Sequence, residues 1–110
     1  MNPDSLKYLQ DIQDSIERIE YHIRDVKTFN EYANNYTTID AVERRLAIIG
    51  EALWKASKSD PQITVTDQKK IVALRHILVH DYDLIDNASI WKILQNNLKT
   101  LQEEVKKLLN

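Results

Sequence analysis

The stretch Leu74–Asp83, LRHILVHDYD, holds two of the chain's three histidines, His76 and His80, together with Arg75 and Tyr82. A guanidinium can bind a phosphodiester through two hydrogen bonds and offset the negative charge that develops on it. An imidazole titrates near neutral pH and can move a proton to or from a ribose hydroxyl or a leaving oxygen. Arginine and histidine at one phosphate would therefore suffice for RNA cleavage without a metal ion. Tyr82 is seven residues from Arg75, so the two share a face of a continuous helix.

Helical geometry leaves several uses of these side chains open. His76 and His80 share a face, which Asp83 continues if the helix persists, and two imidazoles with a carboxylate could bind a metal ion. Arg75 and His80 are about 140° apart on an ideal helix. Their long side chains could still converge on one ligand, particularly if the helix loosens near Asp81. With the wrong geometry for proton transfer, the same side chains would bind phosphate without cleaving it. An arginine–aspartate surface pair beside a partly buried histidine is the purely structural alternative.

Composition narrows the kinds of site and of protein. The chain has no cysteine, which excludes disulfides, thiolate metal sites and a cysteine nucleophile. It has no HExxH motif, and His22 falls on another predicted helix, so we expect no metal site and no cofactor. A net charge of −2 argues against the nonspecific nucleic-acid binding of a strongly basic domain, but it allows a local basic cleft. We expect a soluble cytoplasmic protein, because no signal peptide and no apolar run of about 20 residues is present.

The sequence around this stretch is typical of helices. One glycine and two prolines in 110 residues indicate an all-α protein, because strands and their turns need many more turn residues. We expect one domain, residues 1–110, folded as an antiparallel bundle of four to five helices. Apolar residues at steps of three and four mark each helix.

Capping residues and interruptions of the apolar pattern predict the helix ends. The first helix should end near Phe29, and the third should contain the stretch Leu74–Asp83. The second begins with an approximate capping box, in which Thr37 is followed by Asp40. The candidate N-caps are Asn2 for the first helix, Thr37 or Thr38 for the second, Thr64 or Thr66 for the third, and Asp83 or Asp86 for the last.

The only glycine, Gly50, lies inside the second predicted helix. Glycine there costs about 1 kcal/mol relative to alanine, so its presence predicts that another backbone packs closely against it. Glu51 follows, and two interpretations are open: the carboxylate orients Arg75, or it is an ordinary solvated acid.

Three segments carry a resemblance to a known family. Residues 75–82, RHILVHDY, fit the pattern R-x4-H-x-Y, residues 40–53 read DAVERRLAIIGEAL, and residues 90–94 read IWKIL. In this order and spacing they resemble HEPN-domain ribonucleases of the HepT type, toxins of two-component toxin–antitoxin pairs, over essentially the whole chain. The chain departs from its relatives at His76, where asparagine is common, and at residues 63–66, which lack a tryptophan that many relatives have.

The resemblance implies a metal-independent endoribonuclease with Arg75 and His80 as its catalytic pair. It implies a homodimer in which the motifs of two subunits face a shared cleft that binds the RNA substrate. It also implies a partner antitoxin, a minimal nucleotidyltransferase that transfers AMP to Tyr82 and so blocks RNA by charge and bulk. His76 and Glu51 would have supporting roles.

Two other functions are compatible with the same sequence. A module that binds RNA or nucleotide and docks a nucleotidyltransferase partner, without turnover of its own, is favoured by His76 at the usual asparagine position. A plain helical assembly domain would need only the apolar stripes. In that case Tyr82 would simply pack on its neighbours at a helix end.

Overall fold

The chain folds into helices and turns without any strand, as a computed structural model of residues 1–110 shows. The helices are α1 (Pro3–His22), α2 (Phe29–Ala33), α3 (Tyr36–Ser59), α4 (Gln68–His80), α5 (Asn87–Lys92) and α6 (Leu98–Leu109). A 3₁₀ turn (Tyr82–Leu84) follows α4, and a π-helical turn (Ile93–Asn97) joins α5 to α6. The predicted all-α bundle is confirmed. None of the helices combines the length and the apolar character needed to cross a bilayer.

The core lies where α1, α3 and α6 meet. Their apolar residues recur at steps of three and four, so each helix turns one stripe inward. Asn2 Nδ2 donates to the carbonyl oxygen of Ser59 at 3.1 Å, which places the start of α1 at the end of α3 and makes the two helices antiparallel. The side chains that are fully buried include Leu9, Ile12, Ile16 and Ile19 of α1, Val42 and Leu53 of α3, and Val105 of α6.

The first and last predicted caps are confirmed. Asn2 caps α1, with its side-chain oxygen accepting from the Ser5 amide at 2.8 Å, and Pro3 occupies the first helical position. Asp86, one of two candidates, caps α5 by accepting from the Ala88 amide at 3.1 Å. Each cap satisfies an amide that has no partner within its helix.

The prediction that the first helix continues to near Phe29 is wrong. α1 ends at His22, and Phe29 instead begins the short helix α2. The reason is local: Thr28 accepts from the Glu31 amide at 3.1 Å, which is an N-cap inside a segment that looked like the end of one helix.

The second predicted start is also wrong in detail. Asn35 caps α3 by accepting from the Thr38 amide at 3.0 Å, so the helix begins before both threonines. The box of Thr37 and Asp40 is therefore inside the helix. Asparagine is a better N-cap than threonine, which agrees with Asn35, rather than Thr37 or Thr38, as the cap.

Neither Thr64 nor Thr66 caps α4. The cap position is occupied by Asp67, in a left-handed conformation with φ 58°, and its side chain makes no capping hydrogen bond. The Thr66 amide donates instead to the carboxylate of Glu104 in α6, at 3.1 and 3.2 Å. A tertiary contact thus replaces the local cap that was predicted.

α4 occupies an outer position. Among the long helices its backbone packs only against α3, and none of its residues is buried. This leaves a groove on each side of it: an apolar one of about 390 Å³ toward α5 and α6, and a polar cleft of about 410 Å³ toward α1. α4 is therefore a ridge whose side chains stay largely accessible.

Candidate active site

The crossing of α3 and α4 is centred on Gly50. A Cβ atom built there would lie 2.8 Å from Arg75 Cβ and 2.8 Å from the carbonyl oxygen of Ile71. Contacts that short essentially never occur, so only glycine allows the backbones to approach this closely. The predicted close packing at Gly50 is confirmed, and the helix that it brings in is the one that carries Arg75.

Arg75 also meets the residue that follows the glycine. Its Nη2 atom lies 3.5 Å from Glu51 Oε2, and the two side chains are 36% and 38% exposed. A pair this exposed contributes little to stability, less than about 1 kcal/mol. Its consequence is positional, because a carboxylate beside the guanidinium restricts where the guanidinium points. Of the two interpretations of Glu51, the structure supports the contact with Arg75, and the partner is a glutamate rather than the aspartate of the structural alternative.

Arg75 points into the polar cleft between α1, α3 and α4. Four cationic side chains and two carboxylates line this cleft, for a formal charge of +2 in a chain whose net charge is −2. A local basic cleft of this kind was compatible with the sequence, and it lies at the predicted arginine. The charged lining residues are Lys7, Arg44, Lys55, Arg75, Asp11 and Glu51.

The two histidines lie at the end of α4, outside that cleft. Their rings are 5.1 Å apart and tilted by 48°, and His76 Nε2 lies 3.3 Å from Asp81 Oδ2. Val79 lines the cleft but His80 does not, so one chain does not bring Arg75 and His80 to the same point. The helix does leave its regular path at Asp81 (φ −123°, ψ 49°), but only after His80.

α4 ends at His80, so the condition on which the placement of Asp83 depended is not met, and the predicted placement of Tyr82 is wrong. Asp83 does not extend the face of the histidines, and no three histidine, aspartate or glutamate side chains are grouped as metal ligands. Tyr82 does not share the helical face of Arg75. It lies in the 3₁₀ turn with 77% of its surface exposed.

Most residues of the cleft lining were missed by sequence reasoning. Arg44 and Lys55 fall on the same helical face as Glu51, at intervals of seven and four residues, so part of the signal was present. Lys7 and Tyr8 come from α1, and only the packing of α1 against α3 brings them to Arg75. Nothing in their own spacing could have indicated this.

Comparisons with known proteins support the resemblance over most of the chain. Residues 12–108 match the family described as Ribonuclease HepT-like. The chain is 33% identical over 103 residues to "Putative RNase MJ1380" of Methanocaldococcus jannaschii, a match that covers 93% of this chain and 94% of that protein. It is 30% identical over 105 residues to "Probable ribonuclease HepT" of Thermococcus cleftensis, with 92% of each chain covered.

Another relative is longer than this chain. "Gamma-glutamylcyclotransferase and putative RNase MJ0434" of Methanocaldococcus jannaschii is 31% identical over 110 residues, and the match spans 99% of this chain but only 49% of that protein. No solved structure matches the chain.

Proposed function

This chain belongs to the HepT-like ribonuclease family, and we propose that it is a metal-independent endoribonuclease toxin with Arg75 and His80 as its catalytic pair. The observation that carries the proposal is the placement of Arg75. Gly50 brings its backbone against α3, Glu51 restrains its guanidinium, and the cleft around it is positively charged and open. An arginine held in this way can bind a phosphodiester.

The chemistry follows from the two side-chain types. An imidazole removes the proton of the 2′-hydroxyl, and the oxygen attacks phosphorus while Arg75 offsets the added negative charge. The bond from phosphorus to the 5′ oxygen then breaks, and an imidazolium protonates that oxygen. The products are a 2′,3′-cyclic phosphate and a 5′-hydroxyl. His80 is the proposed proton carrier, and His76, which is 5.1 Å away ring to ring, supports it.

A homodimer would complete this site, because His80 lies outside the cleft of Arg75 in its own chain. The surface for such a dimer is α4 itself. It has no buried residue, and Val79, which is 48% exposed, lies at the rim of the cleft next to His80 in sequence. Two copies that meet through α4 would bring two arginines and two histidines to one RNA strand.

Regulation by AMP transfer to Tyr82 also belongs to the proposal. Tyr82 is 77% exposed, in a turn two residues beyond His80, where a nucleotidyltransferase antitoxin could reach it. An added phosphate would compete with RNA for the same cations. Co-expression with such an enzyme should raise the intact mass by one or more AMP units and abolish cleavage. A Tyr82→Phe variant that gains the same mass would contradict this assignment.

The activity itself is tested on purified protein with RNA in excess EDTA. We expect cleavage, with cyclic phosphate at the 3′ ends of the products. A folded protein that binds RNA but leaves it intact at every concentration would favour the binding module instead.

A further inference from the structure

The cleft beside Arg75 contains more binding groups than cleavage of one phosphodiester requires. We propose that it is a track for single-stranded RNA, in which Arg44 and Lys55 bind the phosphates on either side of the one held by Arg75 and Tyr8 stacks on a base. The inference rests on the proposed ribonuclease function and extends it to the class of RNA and to further binding residues.

The cations of α3 form one line. Arg44, Glu51 and Lys55 lie on the same face of the helix, and eleven residues separate the first from the last, or about 16 Å along the axis. Glu51 holds Arg75 between them. Cations spread over this distance contact successive phosphates of a strand rather than a single phosphate.

These two cations form no ion pair within the chain. Neither Arg44 nor Lys55 has a carboxylate oxygen within 4.0 Å, whereas Lys7 of the same cleft is paired with Asp11 at 2.8 Å. Both unpaired side chains are exposed. They can therefore bind an anion without breaking an existing ion pair, and both contribute to the excess positive charge of the cleft.

Tyr8 adds a flat apolar surface to the charged track. It is the only aromatic residue of the cleft lining, it is half-buried against the core, and Lys55 Nζ lies 5.9 Å from its ring centroid. A cationic groove with an aromatic face is the combination that binds single strands, since every unpaired base can stack. A duplex keeps its base faces stacked on each other, so it offers Tyr8 nothing to bind.

The test measures the affinity of a fluorescein-labelled single-stranded RNA for the His80→Ala protein in EDTA, so that the RNA stays intact. In this background, Arg44→Glu with Lys55→Glu should weaken binding at least tenfold. It should also flatten the plot of log affinity against log salt by about 1.4, or 0.7 for each phosphate that is no longer neutralised. The matched control is Lys99→Glu with Lys106→Glu, which makes the same charge change on an exposed face of α6 outside the cleft.

Stacking is tested separately with Tyr8→Leu and Tyr8→Phe. An RNA scanned with 2-aminopurine should show quenching at one position with the parent protein and with Tyr8→Phe, and none with Tyr8→Leu. Loss of the ring should weaken single-strand binding about tenfold, since a stacked base contributes roughly 1–3 kcal/mol. Binding of the matching duplex should be weaker in the parent and unchanged by Tyr8→Leu.

The outcomes separate this inference from the function on which it rests. Failure of the wild-type protein to bind or cleave any RNA would overturn both. RNA binding that survives the Arg44 and Lys55 reversals as well as it survives the control pair would overturn only the track. If the double reversal does not fold by circular dichroism, Arg44→Gln with Lys55→Gln replaces it, and the same slope change is required.

Discussion

α3 and α4 are neighbouring helices with apolar stripes, but they differ in how deeply their side chains are buried. α3 has ten buried residues, whereas α4 has none. They meet at Gly50, where the backbones approach too closely for any side chain. The difference indicates a division of roles: α3 holds the fold together, and α4 is held by α3 so that Arg75 and His80 remain accessible.

The apolar residues of α4 show why this division is not visible in the pattern. Ile71, Leu74 and Leu78 recur with the helical period expected of core residues, but they are only partly buried. Within one chain, only one side of the apolar stripe of α4 packs against α3, and the other side stays accessible. A second subunit, as proposed, would cover the remainder.

Leucine truncation on the two helices should give the largest difference. Leu53 of α3 is fully buried, so Leu53→Ala should lower the free energy of unfolding by about 2–5 kcal/mol. Leu78→Ala on α4 removes a partly buried side chain and should cost roughly 1 kcal/mol. Urea unfolding at low protein concentration measures both. Equal decreases would show that α4 belongs to the core as fully as α3 does.

Gly50→Ala tests the contact between the two helices. Alanine gains about 1 kcal/mol of helix propensity, but its Cβ would meet the Ile71 carbonyl oxygen at 2.8 Å, a backbone atom that cannot rotate away. Overpacking of this kind costs about 1–3 kcal/mol, so we expect a net loss of stability of about 1 kcal/mol. The rate of RNA cleavage should fall by more than the increase in unfolded protein accounts for, because Arg75 moves with α4. A variant that is more stable and fully active would show that the close approach is not needed.

The smallest expected effect on stability concerns Glu43, a partly buried glutamate of α3. Burial, and then the neighbouring charge of Asp40, raises the pKa of Glu43 above its usual value. A carboxyl whose folded pKa is raised binds more protons in the folded state, so the free energy of unfolding falls as pH rises above about 4.5. Glu43→Gln should therefore stabilise the protein at pH 7 but not at pH 4.

The matched control is Glu103→Gln on the exposed side of α6, which should leave the pH dependence of unfolding as in the wild type. An unchanged slope between pH 4 and pH 7 in Glu43→Gln would contradict the assignment to Glu43.

A structural feature could be predicted from the sequence when neighbouring residues along the chain determine it. Helix interiors follow from apolar spacing, and Gly50 indicated a close contact because glycine is costly inside a helix. Helix ends depend on which of several nearby polar residues caps the helix. Asn35 caps α3, whereas Thr37 or Thr38 was predicted.

The candidate site divides in the same way. A contact between Glu51 and Arg75 was one of the two interpretations that the sequence left open. Tyr8 lies 67 positions before Arg75 in the chain and reaches the cleft only through the packing of α1 on α3. The position of Tyr82 was mispredicted because it required α4 to continue beyond His80.

Single-turnover cleavage by Arg75→Ala and His80→Ala, with unfolding measured on the same samples, tests most directly whether α4 carries the chemistry and α3 the stability. Both side chains are accessible, so each variant should change the free energy of unfolding by less than about 1 kcal/mol. Loss of a proton carrier or of the phosphate-binding arginine should slow cleavage by at least about 100-fold. A folded variant of either kind that cleaves RNA at the wild-type rate would show that Arg75 and His80 are not the catalytic pair.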